Sequence, residues 1–133
     1  MTPYYKDPYV EIYCGDSVEL LYSLKAETAD LIIADPPFNL GKGYESHMDE
    51  DDYLAWCDTW ILRTKRVLSR RGGIFLMTIQ EYVGEMMRWL GQQYWFRNQI
   101  VWLNSSMPVK YRFCIGYQPI LWYVSDITDY TFN

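Results

Sequence analysis

A short apolar run that ends in two prolines constrains the fold of this chain more than any other feature. Residues Ala29–Ala34 are continuous, apolar and rich in branched side chains, a pattern typical of a strand covered on both faces. Asp35-Pro36-Pro37-Phe38 follow directly, and neither proline can donate a hydrogen bond to a neighbouring strand. We therefore predict a buried parallel strand at 30–34 that holds Asp35 at its carboxyl end, the edge where open α/β sheets bind ligands.

The residue types in this loop suit chemistry on a flat ring that carries an amino group. The carboxylate of Asp35 and the carbonyl of Pro36 offer acceptors for the two N–H bonds of such an amine, which would free its lone pair. The ring of Phe38 offers a stacking surface for a base taken out of its duplex. Positioning and electrostatics suffice for such a site, with no metal or covalent intermediate. An ordinary turn at a strand end has the same residues, so the tetrapeptide alone leaves both interpretations open.

With its surroundings, the tetrapeptide resembles the catalytic motif of S-adenosylmethionine-dependent DNA amino-methyltransferases, in the motif order of their beta class. Besides 29–38, the resemblance covers an opening strand with its Gly-Asp turn, the helix after it, the loop after the motif, a second helix and a late strand, at residues 10–16, 17–24, 39–44, 53–73 and 118–123. Asp in the first motif position is usual for adenine-N6 methylation and Ser for cytosine-N4 methylation. The resemblance thus implies an adenine-N6 DNA methyltransferase with S-adenosylmethionine as its cofactor and DNA as its partner.

The same resemblance implies roles for individual residues. They are catalytic for Asp35, Pro36, Pro37 and Phe38, cofactor-binding for Asp16 and Asp35, and substrate-binding for Phe38, Asn39 and Lys42. Asp16 is equally well placed to cap a helix, and Asn39 is equally suited to shaping a turn. A solvated loop lysine is the ordinary interpretation of Lys42.

Apolar periodicity and turn residues predict one domain that spans residues 1–133. Strands are predicted at 10–13, 30–34, 74–79, 99–103 and 120–124, and helices at 17–24, 53–73 and 81–91. Gly72-Gly73 is predicted to end the second helix, and the polar segment 39–52 is predicted to be a lid. This alternation indicates an α/β fold with a parallel sheet. The resemblance specifies it as a Rossmann-like methyltransferase sheet, mostly parallel and incomplete with about five strands and flanking helices, and without a separate target-recognition domain.

The family's Phe-x-Gly-x-Gly cofactor loop does not occur within the 133 residues. The resemblance therefore implies the catalytic half of an enzyme whose two cofactor strands have to be accounted for. A second polypeptide carrying the glycine-rich loop, exchange of elements in a homodimer, or closure of the first strand onto the catalytic strand would each account for them. The alternative is a non-catalytic binding or regulatory module, or a truncated remnant, derived from a methyltransferase.

The net charge of −5 argues against non-specific affinity for DNA, because dedicated duplex binders are normally basic. A cluster of positive side chains does occur, at Arg63, Lys65, Arg66, Arg70 and Arg71. We interpret it as a solvated face that complements the carboxyl end of a helix, and a polar loop at 104–112 as a segment that approaches substrate.

The three cysteines, Cys14, Cys57 and Cys114, are widely spaced and accompany a single histidine, His47. This spacing predicts small core residues of a reduced, cytoplasmic protein and no metal site. No apolar run reaches the length of a membrane span, so no contact with a membrane is expected.

Overall fold

The computed structural model describes residues 2–43, 45, 47–104, 110 and 116–132. Its body is a four-stranded sheet, and a separate two-stranded pair precedes it. In chain order the elements are β1 Tyr5–Lys6, β2 Glu11–Ile12, α1 Ser17–Ser23, β3 Ala29–Ala34, α2 Glu50–Val67, β4 Leu68–Met77, a 3-10 turn Gln80–Tyr82, α3 Val83–Gly91, β5 Trp95–Leu103 and β6 Tyr117–Val124.

The sheet has the strand order β3-β4-β6-β5. β3 pairs with β4 in parallel, whereas β6 is antiparallel to both of its neighbours. β3, β4 and β5 consequently point the same way, and their carboxyl ends meet at one edge of the sheet. That edge is where the loop Asp35-Pro36-Pro37-Phe38 begins.

Two predictions about the sheet were wrong. Within the described residues it has four strands and is mixed, with one parallel and two antiparallel pairings, so it is not the mostly parallel sheet of about five strands. The opening strand, now Glu11–Ile12, pairs with Tyr5–Lys6 and not with β3, so closure of the first strand onto the catalytic strand does not occur. The physical reason is that a parallel pair needs a crossover connection, whereas β6 returns in the opposite direction between β4 and β5. Periodicity identifies strands but not their direction.

Local sequence signals correctly predicted α1 and β3, the two elements that precede the site. Asp16 caps α1, because its Oδ1 accepts hydrogen bonds from the backbone N–H of Val18 at 2.8 Å and of Glu19 at 3.0 Å. The predicted strand at 30–34 is β3, which begins one residue earlier. These outcomes confirm both elements.

The Gly72-Gly73 pair does not end a helix. α2 ends at Val67, and β4 begins at Leu68 and runs through both glycines. A Cβ at Gly72 would lie 2.7 Å from the side chain of Leu68 and 3.1 Å from the carbonyl oxygen of Asp30. The glycine is therefore required by close approach within the sheet, a reason that sequence cannot distinguish from a helix stop.

Four further boundaries differ from their predictions. α2 begins at Glu50 rather than 53 and α3 at Val83 rather than 81, β5 begins at Trp95 rather than 99, and β6 begins at Tyr117 rather than 120. The acidic first turn of α2, Glu50 to Asp52, complements the positive end of the helix.

The core lies between one face of the sheet and the two longer helices. α2 contributes Cys57 and Ile61, α3 contributes Met86 and Leu90, and the strands contribute Ile74, Leu76, Leu121 and Tyr123, all nearly or fully buried. Alternate residues point to the opposite face, where Phe75 stacks on Trp122 at 5.5 Å and Phe132 stacks on Trp122 at 5.3 Å. On that face Leu31 and Ile33 of β3 are 53% and 69% exposed. The prediction that β3 is covered on both faces was therefore wrong for this chain.

The basic cluster mainly connects elements of the fold. Arg66 donates to the carbonyl oxygens of Leu21 and Tyr22 at the end of α1, at 2.6 and 2.9 Å, and Arg63 lies over the ring of Tyr22. Arg71 pairs with Asp129 at 2.8 Å. The contacts of Arg63 and Arg66 orient α1 against α2, and the Arg71–Asp129 pair joins β4 to the segment after β6.

The difference between the two sheet faces can be measured. Ile74→Ala is expected to lower the free energy of unfolding by about 2–5 kcal/mol, because it leaves a cavity in the core. Ile33→Ala on the open face is expected to change it by about 0.5 kcal/mol or less. Urea denaturation of both variants checks this, and a large loss for Ile33→Ala would show that the open face is covered in solution.

Candidate functional site

The motif Asp35-Pro36-Pro37-Phe38 leaves the sheet immediately after β3. Asp35 and Pro37 are exposed, and Pro36 and Phe38 are half-buried. The parallel pairing of Ala34 with Leu76 fixes the level at which the motif departs. The carboxylate of Asp35 is thus presented at the ligand-binding edge of the sheet, as the sequence predicts.

The hydroxyl of Tyr53, in the first turns of α2, donates a hydrogen bond to the carbonyl oxygen of Pro37 at 2.9 Å. The ring of Tyr53 is 2% exposed and packs against Tyr82, with ring centroids 4.9 Å apart, and against Trp56 at 5.9 Å. Burial raises the pKa of Tyr53 well above its ordinary value, so the hydroxyl keeps its proton and acts as a donor. A buried helix side chain therefore fixes one peptide of the motif.

Asn39 lies at the turn that follows Phe38. Its φ of 58° is in the left-handed region, which Asn tolerates better than most residues. Its side-chain amide donates to the carbonyl oxygen of Met48 at 2.9 Å, and its Oδ1 accepts from the N–H of Met48 at 2.7 Å. Nδ1 of His47 lies 3.2 Å from the carbonyl oxygen of Asn39. The buried side chain of Asn39 is thus engaged in holding the loop.

The carboxylate of Glu45 gathers backbone N–H groups from the same loop. Its oxygens accept from Leu40 at 2.8 Å, Asn39 at 3.2 Å and Lys42 at 3.3 Å. Desolvation acts to raise the pKa of Glu45, but the N–H groups of Lys42, Leu40, Phe38 and Asn39 together outweigh it and hold the pKa below its ordinary value. The loop is therefore built around an ionised carboxylate at neutral pH.

The motif contributes to two different cavities. One, of about 350 Å³, is mostly apolar and is lined by Asp35, Pro36 and Pro37 together with Ser17, Trp56 and Trp60. The other, of about 260 Å³, is more polar and is lined by Phe38 and Lys42 together with Gln80, Asn104, Tyr117 and Gln118. The carboxylate and the aromatic ring of the tetrapeptide thus line separate spaces.

Most of the predicted site residues fall around these cavities. Asp35, Pro36 and Pro37 line the first cavity, and Phe38 and Lys42 line the second. Asp16 lies at the start of α1, one residue before Ser17, with its side chain engaged as a cap. Their proposed roles stay predictions, because the structure holds neither substrate nor cofactor.

Two site features were not found from the sequence. In the sequence nothing distinguishes Glu45 from the other charged residues of the loop 39–52, and Tyr53 is only the first residue of the predicted helix 53–73. In the segment 104–112, Asn104 lines the second cavity, but 105–109, 111 and 112 lie outside the described residues, as do Tyr44 and Cys114. The N–H of Asn104 donates to the carbonyl oxygen of Gly116 at 2.9 Å and closes that end of the sheet.

Comparison with known proteins decides the family. A family model described as DNA methylase matches residues 29–133, which is most of the chain. The chain belongs to this family. Its members are S-adenosylmethionine-dependent DNA methyltransferases that act on adenine N6 or cytosine N4, which confirms the resemblance carried by the motif.

The relatives are longer than this chain. The type II methyltransferase M.ScaI of Streptomyces caespitosus is 31% identical over 140 residues, which cover 98% of this chain and 46% of M.ScaI. The DNA adenine methyltransferase YhdJ of Escherichia coli strain K12 is 33% identical over 124 residues, which cover 90% of this chain and 42% of YhdJ. This chain therefore spans less than half the length of these relatives.

A solved structure of the cytosine-N4-specific PvuII DNA methyltransferase superimposes with a TM-score of 0.69 at 21% identity. The match covers 87% of this chain and 49% of that structure. At this identity the likeness shows the fold alone, and it identifies the α/β architecture as that of a methyltransferase.

No helix among the described residues is long and apolar enough to cross a bilayer. No group of three or more His, Cys, Asp or Glu side chains in that part of the chain is arranged to hold a metal ion.

The role of Asn39 in the loop leads to a prediction. Asn39→Ala removes both bonds to Met48 and places alanine at a positive φ, so we expect the free energy of unfolding to fall by about 1–3 kcal/mol. Asn39→Gly tolerates the same φ, and it should recover part of the loss. Urea denaturation of both variants measures the difference. Equal stability of the alanine variant and the wild type would contradict the structural role.

Proposed function

We propose that this chain is the catalytic part of a DNA methyltransferase that transfers a methyl group from S-adenosylmethionine to the exocyclic N6 of adenine. One observation carries the proposal: Asp35 is presented at the carboxyl end of β3, on a loop whose Asp35 and Phe38 line two separate cavities. Family membership gives the reaction class. The choice of adenine over cytosine N4 rests on Asp, not Ser, in the first motif position.

Each residue of the motif has its own proposed role. The Asp35 carboxylate and the Pro36 carbonyl accept the two N–H bonds of the target amine, which draws the nitrogen toward a tetrahedral geometry and exposes its lone pair. The carbonyl of Pro37 is held by Tyr53, so the neighbouring carbonyl of Pro36 is the one assigned to the substrate. Phe38 stacks on the extruded base. The proton lost from nitrogen as the N–C bond forms goes to Asp35 or to solvent.

The first cavity fits part of the cofactor. Its apolar lining, with Asp35 at one end and the start of α1 at the other, suits an adenosyl group, and Asp16 and Asp35 are the residues proposed to hold it. S-adenosylmethionine supplies an electrophilic methyl group on a sulfonium. The second cavity, which Phe38 and Lys42 line, is assigned to the target nucleotide.

We infer that DNA is the partner and that the cofactor side is completed by additional elements at β3. β3 is an edge strand of the described sheet, and its exposed Leu31 and Ile33 give it an apolar face. A second polypeptide carrying a glycine-rich loop, or a second copy in a homodimer, would pair there. With a net charge of −5 on this chain, such a partner would also supply much of the contact to phosphate. The unpaired thiols of Cys14 and Cys57 fit a reducing, cytoplasmic setting.

The proposal is tested first by methyl transfer. The purified chain is incubated with radiolabelled S-adenosylmethionine and duplex DNA, and Asp35→Ala is expected to lower the transfer rate by about 10²–10³-fold, because it removes a preorganised acceptor at the reacting nitrogen. Asp58→Ala is the matched control, since Asp58 lies on α2 and lines neither cavity. Digestion of the product to nucleosides identifies the methylated base.

The methylated base and the effect of Asp35→Ala distinguish the hypotheses. N6-methyladenine that disappears with Asp35→Ala supports the proposal, and N4-methylcytosine would overturn the choice of base. Full transfer by Asp35→Ala would overturn the role of Asp35. A folded wild-type chain that transfers nothing would leave two hypotheses, a catalytic half that needs a partner at β3 and a non-catalytic module derived from a methyltransferase, and would direct the search to that partner.

A further inference from the structure

The segment around Phe38 is anchored on both sides by residues outside the motif. On its amino side the carbonyl of Pro37 accepts the hydroxyl of Tyr53 at 2.9 Å. On its carboxyl side Glu45 accepts the N–H groups of Asn39 and Leu40 at 3.2 and 2.8 Å. The stacking ring thus lies between two fixed peptides only two residues apart.

The two anchors differ in strength and in kind. Bonds to an ionised carboxylate are stronger than neutral ones, and Glu45 makes several to consecutive parts of one turn. The anchor at Tyr53 is rigid because its ring is buried between Tyr82 and Trp56, so the hydroxyl has little freedom left to lose. One anchor comes from the loop itself, and the other comes from α2.

We propose that Tyr53 and Glu45 are positioning residues that set the direction of the Phe38 ring and of the Pro36 carbonyl before substrate binds. Tyr53 fixes the peptide plane that follows Pro37, and Glu45 fixes the turn that starts at Asn39. Only the roles given to the Phe38 ring and the Pro36 carbonyl rest on the proposed function. The shape of the loop is a property of the chain by itself.

The first experiment measures that shape. Tyr53→Phe removes one hydroxyl and keeps the ring, and Glu45→Gln removes the charge and keeps the size. In both variants hydrogen exchange at the amides of Asn39 and Leu40, followed by NMR, is expected to become about tenfold faster. Loss of the charge-assisted bonds to Glu45, or of the Tyr53 bond that supports them, should make local opening of the loop easier by a factor of that order. Exchange at the amide of Leu76 in the core should stay unchanged.

Matched controls exclude a general effect of each substitution. Tyr82→Phe removes a hydroxyl from the ring that packs on Tyr53, and Glu27→Gln removes a charge from the exposed loop between α1 and β3. Both controls should exchange at Asn39 and Leu40 as the wild type does. Unchanged exchange in Tyr53→Phe and Glu45→Gln would overturn the proposal.

The second readout is kinetic. A merely structural role would lower the amount of active protein, whereas a positioning role should lower kcat by about tenfold with a smaller change in KM, because the bound base is then held in the wrong geometry. Faster loop exchange with an unchanged kcat would overturn the positioning role. If the wild-type chain transfers no methyl group by itself, the kinetic readout falls away, and the exchange experiment still decides whether the two anchors set the loop.

A pH titration gives an independent check on Glu45. Because its pKa lies below the ordinary value of 4.5, the bonds to the loop are present at neutral pH and are lost as pH falls through that lowered pKa. Among the described residues, the titratable groups beside Glu45 or the loop that it holds include Lys42, His47 and Tyr53. The amide shift of Leu40 should titrate below pH 4.5 in the wild type and not in Glu45→Gln. The same titration in both proteins would overturn the assignment to Glu45.

Discussion

The contact between β3 and β4 is the constraint on which the rest of the site depends. β4 can pair in parallel with β3 only because Gly72 leaves room for the side chain of Leu68 and for the carbonyl oxygen of Asp30. The pairing then carries through Ala34 and Leu76, so both strands end at the same edge. Asp35 and the segment around Gln80 consequently begin from adjacent positions, with the cavities at that edge.

This arrangement explains how a short motif serves two sites. β3 sets the direction in which the chain leaves the sheet, and the two prolines that follow prevent it from continuing the strand pairing. Asp35 lies beside α1 and α2, whereas Phe38 lies beside the carboxyl end of β4 and the amino end of β6. In the proposed function the methyl donor lies in the first cavity and the extruded base in the second, so the two have to meet at the amine that Asp35 holds.

The parts of this structure that the sequence predicts are those with local causes. Asp16 as a cap and Ala29–Ala34 as a strand follow from the residues themselves, and so does the position of Asp35. Gly72 was misread because glycine marks both a helix end and a close approach, and only the neighbouring strand distinguishes them. The insertion of β6 between β4 and β5, and the bond from Tyr53 to Pro37 across sixteen positions, are set by tertiary packing, which has no local signature.

The open edge of β3 follows from the same topology. Within the described sheet β3 has one neighbour, and its side chains alternate between a face covered by α2 and a face on which Ile33 is 69% exposed. Apolar side chains are costly to leave in water, and the unpaired N–H and C=O groups of an edge strand form a template for pairing, so the strand favours any element that can pair with it. The groups proposed to hold the target amine are nevertheless organised from within residues 35–53. In the proposed function, recognition of the amine is thus built on this side of β3, and completion of the cofactor site is assigned to an element that pairs with its other edge.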